Sequence, residues 1–197
     1  MFRKRPFRRR PLARRRPPPR PPLPPRVRRT LARANGLMAD GRFAEAANIF
    51  ERLSERARHR GMLIRAADLA LQASRARFAA DDVNAALERA REALRLLARG
   101  GRPGRVPRVL SRITAALREK GYDAQADQLE QEAAQALEEM GLSLDEVRQR
   151  APQVTEERGT LPTHCSGCGA PLAPDEVEWH DAHTAECLYC GTVLRAS

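Results

Sequence analysis

The side chains in this sequence best suited to chemistry are its four cysteines, Cys165, Cys168, Cys187 and Cys190. They form two C-x2-C pairs, Cys165-Ser-Gly-Cys168 and Cys187-Leu-Tyr-Cys190, with eighteen residues between them. A short pair aims two sulfurs at one point, and two pairs at this separation supply the corners of a tetrahedral thiolate site for zinc. No cysteine is left over. Each pair runs into a similar trailer, Gly169-Ala-Pro-Leu172 and Gly191-Thr-Val-Leu194, so the segment reads as two related knuckles. Glycine stands where the chain must turn sharply after the second ligand, a place that favours positive φ. The competing chemistry is a pair of disulfides, for which four cysteines allow three pairings and an oxidising compartment is required.

A catalytic zinc keeps a position open and usually takes three protein ligands, whereas four thiolates close the shell. One structural Zn2+ and no catalytic residue are therefore expected. His164, His180 and His183 lie close in sequence, but a histidine in a polar loop is satisfied without a metal. No nucleophile–base pair and no glycine-rich phosphate loop can be assembled from the rest of the chain, so an enzyme is not expected. A third chemistry, thiol or zinc redox sensing, uses the same cysteines. After Met1 the sequence shows arginine and proline where the apolar stretch of a signal peptide would stand, and no run of about 18 apolar residues offers a membrane span. A reducing, cytoplasmic and bacterial setting is expected.

Between the knuckles, Val177-Glu-Trp179 and the stretch from Glu186 to Val193 suggest short strands, with Val177 and Trp179 on one face. A domain of about 35 residues cannot bury enough apolar area unaided. Residues 163–197 resemble a zinc ribbon of the rubredoxin-like, double-knuckle kind, the resemblance resting on the four ligands. Ribbons of that class serve many functions, so the resemblance implies a structural metal and leaves the function open. From Thr163 onward the acids Asp175, Glu176, Glu178, Asp181 and Glu186 face a single base, Arg195. An acidic ribbon suits contact with protein better than contact with phosphate.

The elements that carry the ribbon are helical. Phe43, Ala46, Phe50, Leu53 and Ala57 step by three and four residues, as do Val83, Ala86, Ala90, Leu94 and Leu97, and then Val106, Leu110, Ile113 and Leu117. Ala126, Leu129, Ala133, Leu137 and Met140 continue the pattern. Gly36 and Gly41, Gly61, the Gly100–Gly104 cluster, Gly121 and Gly141 punctuate it, Asp81 or Asp82 can cap the second of these helices, and Pro107 suits a first turn. Ser143 and Glu146 form a capping box for a short final helix that ends before Pro152. The run Gly41-Arg-Phe43-Ala-Glu-Ala46-Ala-Asn-Ile-Phe50, preceded by Ala34, resembles the centre of a tetratricopeptide repeat, with echoes at Ala86 and Ala126 about 40 residues apart, where that family repeats at about 34. The resemblance implies a stack of three helical hairpins with a groove for a peptide or helix; alanine-rich helices in a plain bundle would show the same local pattern.

Charge is distributed unevenly. Residues 1–29 hold thirteen Arg or Lys and no acid, although the whole chain is only +11. The proline–arginine tract at 14–29 is expected to be disordered or polyproline II, and such a tail suits sequence-independent contact with nucleic acid or an anionic lipid surface. Its Pro21-Pro-Leu-Pro24-Pro25-Arg26 also fits a proline-motif ligand, and the bias of 34 arginines over two lysines reflects coding composition as much as function. Residues 105–121 are basic and 122–141 acidic, which suits antiparallel packing of the two helices or a hold on the tail. The expected organisation is mainly α: a basic tail at 1–27, a tetratricopeptide-like helical domain at 28–141, a short helix and linker at 142–162, and a β zinc ribbon at 163–197. Its expected work is that of a non-catalytic adaptor for a protein partner, the alternative being a nucleic-acid-associated factor acting through residues 1–29.

Overall fold

The computed structural model describes residues 23–150, 158–174 and 177–197. Most of the basic tail therefore lies outside the described residues. Six long helices come first: α1 Pro25–Ala39, α2 Phe43–His59, α3 Leu63–Ala79, α4 Val83–Arg99, α5 Val106–Glu119 and α6 Asp123–Glu138, with one 3₁₀ turn, Pro103–Arg105, between α4 and α5. A short helix follows, α7 Leu144–Arg150, directly after Ser143 as the capping pattern leads one to expect. A three-stranded antiparallel sheet ends the chain, β1 Val177–Trp179, β2 Thr184–Cys187 and β3 Val193–Arg195, in the order β1-β2-β3.

The helices are cut at regular intervals by their turns. Positive φ occurs at Gly41, Gly61, Asp81, Gly101, Gly121 and Gly141, every twenty residues. The residue after each of these donates its N–H back across the helix end: Arg42 to Leu37, Met62 to Ala57, Asp82 to Arg77, Arg102 to Leu97, Tyr122 to Leu117 and Leu142 to Leu137. This is the Schellman arrangement, which satisfies the last carbonyls of a helix and reverses the chain. Asp81 is the one exception to glycine, and aspartate is among the few residues that tolerate φ near 59°. Its carboxylate pairs with Lys120 at 2.9 Å, and Lys120 also lies 4.6 Å above the Phe78 ring. Asp82 caps α4 by accepting from the Ala85 N–H at 3.2 Å.

Small residues at the crossings let the helices approach closely. Ala46, Ala66, Ala86, Val106 and Ala126, again twenty residues apart, are 0–3% exposed. Ser54 and Ser74 donate across the hairpins to the carbonyls of Ala66 and Ala86 at 2.8 and 2.7 Å. The helices stack in sequence, α1 on α2, α2 on α3, α3 on α4 and α5 on α6, with α4 also against α5 and α6. The hairpins are about 40 residues long, about six more than a tetratricopeptide repeat. The basic and acidic helices pack as complements: Arg118 of α5 reaches Asp127 and Glu130 of α6 at 2.7 and 3.1 Å, and Arg91 of α4 pairs with Glu132.

Several expectations are corrected. Leu23, the first described residue, is 6% exposed, and α1 starts at Pro25, so the last residues of the expected tail are helical, proline being tolerated in a first turn. Gly36 lies inside α1 and does not interrupt it. Met140, expected on the core face, sits past the end of α6 and is exposed. The ribbon is also no separate body. Its buried residues share one core with the helices; Asn35 of α1 bonds to the Cys168 carbonyl, and residues of α3 and α5 line a cavity together with ribbon residues.

Candidate metal centre

The four cysteine sulfurs lie within 4.8 Å of one another, and all four residues are buried. Cys165 Sγ is 3.5 Å from Cys190 Sγ, and Cys168 Sγ is 3.9 Å from Cys187 Sγ. A disulfide needs about 2.0 Å, whereas a tetrahedron with metal–sulfur bonds of about 2.3 Å has edges of about 3.8 Å. The donor set and its spacing therefore fit a closed tetrahedral site such as structural zinc. Among the described residues no histidine joins it. His164 contacts Thr163 at 3.2 Å, His180 lies 3.3 Å from the buried Glu186, His183 is exposed, and His59 sits beside Glu55 on α2.

The two knuckles have matching backbones. In the first, Gly169 donates to the Cys165 carbonyl and Cys165 N–H to the Ala170 carbonyl, both at 2.8 Å. In the second, Gly191 donates to Cys187 and Cys187 to Thr192, both at 2.9 Å. Gly169 and Gly191 take φ of 69° and 75°, as the repeated trailer implies. Gly167 is required for space: a Cβ there would lie 2.0 Å from Thr192 Oγ1 and 3.3 Å from Cys190 Sγ. Thr192 in turn touches Cys190 Sγ at 3.0 Å, and the Gly167 N–H points at Cys165 Sγ at 3.4 Å.

Four ionised thiols at this spacing would repel one another, so without a cation their protons divide unevenly. Hydrogen bonding with Cys168, then with Cys187 and Cys190, holds the Cys165 thiol far below its ordinary value. Cys165 raises Cys190, but hydrogen bonds with Cys168, Cys187 and Thr192 outweigh it and bring Cys190 down to about 7. Cys187 is pushed up by Cys165, Cys168 and Cys190 and by burial. A divalent cation removes this conflict, since coordination favours the thiolate at every corner.

The strands complete the ribbon. Val177 pairs with Cys187, Glu178 with Glu186 and Trp179 with Ala185 across β1 and β2, and Glu186 pairs with Val193 across β2 and β3. Two carboxylates opposite each other would repel; here Glu178 is met by Arg102 from the turn after α4 at 2.9 Å, and Glu186 by His180. Trp179 donates to the Pro174 carbonyl at 2.8 Å and carries Arg158 4.9 Å above its ring.

The seam with the helices was not foreseen from the sequence. Asn35 of α1 donates to the Cys168 carbonyl at 2.7 Å in a buried position. Leu188 and Tyr189, at the tip of the second knuckle, are each 6% exposed and line a cavity of about 550 Å³ together with residues of α3 and α5. Asp68 of α3, 1% exposed, meets Arg105 at 2.8 Å on the same face. One signal was available: the tips differ, Ser166-Gly167 against Leu188-Tyr189, and two bulky apolar residues at a knuckle tip call for a cover. No family model, no curated protein and no solved structure matches the chain.

Proposed function

We propose that this chain is a non-catalytic scaffold in which one structural zinc ion, held by Cys165, Cys168, Cys187 and Cys190, fixes a ribbon against a helical stack so that the two together form a docking cavity for a protein partner. When bound, zinc supplies four metal–thiolate bonds and leaves no coordination position open for a substrate, which supports a structural role over a catalytic one. The observation that carries the reading is the cavity at the seam. Both parts contribute walls: Phe78 of α3, Arg108 and Ile113 of α5, and Trp179 and Tyr189 of the ribbon. An apolar floor ringed by guanidinium groups suits a peptide with an aliphatic or aromatic anchor beside a carboxylate.

The metal is tested by native mass spectrometry, with one zinc per chain expected, and by cobalt substitution, with the visible bands of tetrahedral thiolate coordination expected. The docking role is tested by selecting displayed peptides on the full-length protein. Enriched peptides should share an acidic residue next to an apolar one and should lose binding in Ile113→Arg, which fills the cavity, and in Arg108→Glu. Peptides that bind both variants as well as the unmodified protein would remove the cavity from the reading while leaving the metal site intact.

A further inference from the structure

The basic sequence that opens the chain continues into the folded part. Arg26 and Arg29 belong to the acid-free stretch of residues 1–29 and already stand on α1. Arg33 follows one turn later on the same side, while α2 presents Arg52 and Arg56 opposite. These five arginines line a cleft of about 620 Å³ floored by Leu37, Ile49 and Leu53, and all five are exposed. Arg52 also donates to the Asn48 carbonyl at 3.1 Å. Among the described residues the one acid in the lining is Glu45. Both of its oxygens already accept from Arg42, each at 2.7 Å, and those bonds hold its carboxyl below the ordinary range. The cleft thus carries five guanidinium groups against one carboxylate that is matched elsewhere.

The chemistry of the lining selects the kind of polyanion. From Arg26 to Arg33 the helix rises about 10 Å, long enough for the row to meet successive phosphates of one strand. No aromatic side chain lines the cleft, so nothing in it stacks on a base. Insertion into a bilayer adds an apolar wedge to the charge, but the exposed large hydrophobics among the described residues are Met140 and Val193, far along the chain from α1 and α2. A concave, two-sided row of arginines fits a strand better than a flat lipid surface.

We infer that the cleft between α1 and α2 is a docking site for the sugar–phosphate backbone of a single nucleic-acid strand, held by Arg26, Arg29, Arg33, Arg52 and Arg56 without readout of base sequence. The site is separate from the seam cavity, and each can fail without the other.

Fluorescence anisotropy tests it, using the full-length zinc-loaded protein and short labelled oligouridylate and oligothymidylate, between about 50 and 200 mM salt. The triple variant Arg33→Glu/Arg52→Glu/Arg56→Glu should bind both probes at least about tenfold more weakly and should lower the slope of log affinity against log salt by about 2, three contacts at roughly 0.7 each. A control with the same change in net charge, Arg60→Glu/Arg95→Glu/Arg99→Glu, removes exposed arginines outside the cleft and should cost less than about threefold. Should charge reversal disturb folding, Arg33→Gln/Arg52→Gln/Arg56→Gln keeps the comparison, with zinc content and circular dichroism as the fold check. Unchanged binding in the cleft variants, an equal loss in the control, or binding to phosphatidylserine vesicles without binding to either oligonucleotide would each overturn the assignment.

Discussion

From Pro25 to Glu138 six helices hide their apolar surface against one another, through small residues, four alanines and Val106, exposed by no more than a few percent. Between Thr163 and Ser197 three strands of three or four residues offer little apolar surface of their own, and four sulfurs converge on one point. The stack spreads its stability over many weak, repeated contacts, while the ribbon concentrates it at a single site that also needs outside cover. The contrast teaches where each can be broken: the stack tolerates local damage in proportion, and the ribbon fails as a unit and exposes the helix face beneath it.

The largest effect should follow Cys187→Ser. Structural zinc contributes on the order of 10 kcal/mol or more to such a site, so a zinc-loaded ribbon should lose its metal and its sheet. Trp179, the only tryptophan, reports the loss by fluorescence, while far-UV circular dichroism should keep most of its helical signal. Because Leu188 and Tyr189 withdraw with the ribbon, the helices should also melt at lower temperature. An unaltered helical melt would show that the seam is contact without support.

Next in size is Asp68→Ala, which leaves Arg105 beside a buried, emptied position and should cost about 3 to 5 kcal/mol in urea denaturation, toward the lower end because Arg105 is partly exposed. Asn35→Ala should cost about 1 to 3 kcal/mol, since the Cys168 carbonyl then has no donor in a buried place. It sharpens the comparison if chelator strips zinc more readily from the variant, because a helix residue is then steadying a metal knuckle. An unchanged zinc affinity would confine Asn35 to holding the ribbon in place.

The smallest effect belongs to the stack alone. Burial raises the Glu132 carboxyl, but hydrogen bonds from Arg91 and Gln128 prevail and hold it below its ordinary value. A carboxyl depressed in the folded state stabilises above its unfolded value of about 4.5, and that contribution fades as pH falls toward the folded value. Glu132→Gln should therefore flatten the loss of stability below about pH 5, by under about 1 kcal/mol because the pair is partly solvated. Thermal melts at pH 7 and pH 4 measure it.

The parts legible in the sequence are those whose cause is local. Helices α2, α4, α5 and α6 follow from stripes of small and apolar residues, and the knuckles from cysteine spacing and the glycine after each pair. Helix α3 shows no such stripe because polar residues are covered too: Arg65, Asp68 and Gln72 are buried along with its alanines, so polarity no longer marks the solvent face. Asp68 and Gln72 of that hidden row line the same cavity as the bulky tip Leu188-Tyr189, more than a hundred residues on in the chain, and neither half names the other. Gly36 and Met140 mislead for the opposite reason, since helix boundaries here are set by where a residue can take positive φ and by the return bond that follows, rather than by where glycine or an apolar side chain occurs.

The twenty-residue spacing of the turns has a consequence for length variation in this molecule. Chain direction reverses at every turn, so an insertion or excision of forty residues would lengthen or shorten the stack and return the polypeptide on the same side, keeping an odd-numbered helix where the ribbon expects one. A change of twenty would swap the parity of every later helix, deliver the ribbon to the opposite side and strand its apolar knuckle in water. The fold can thus grow in even steps only.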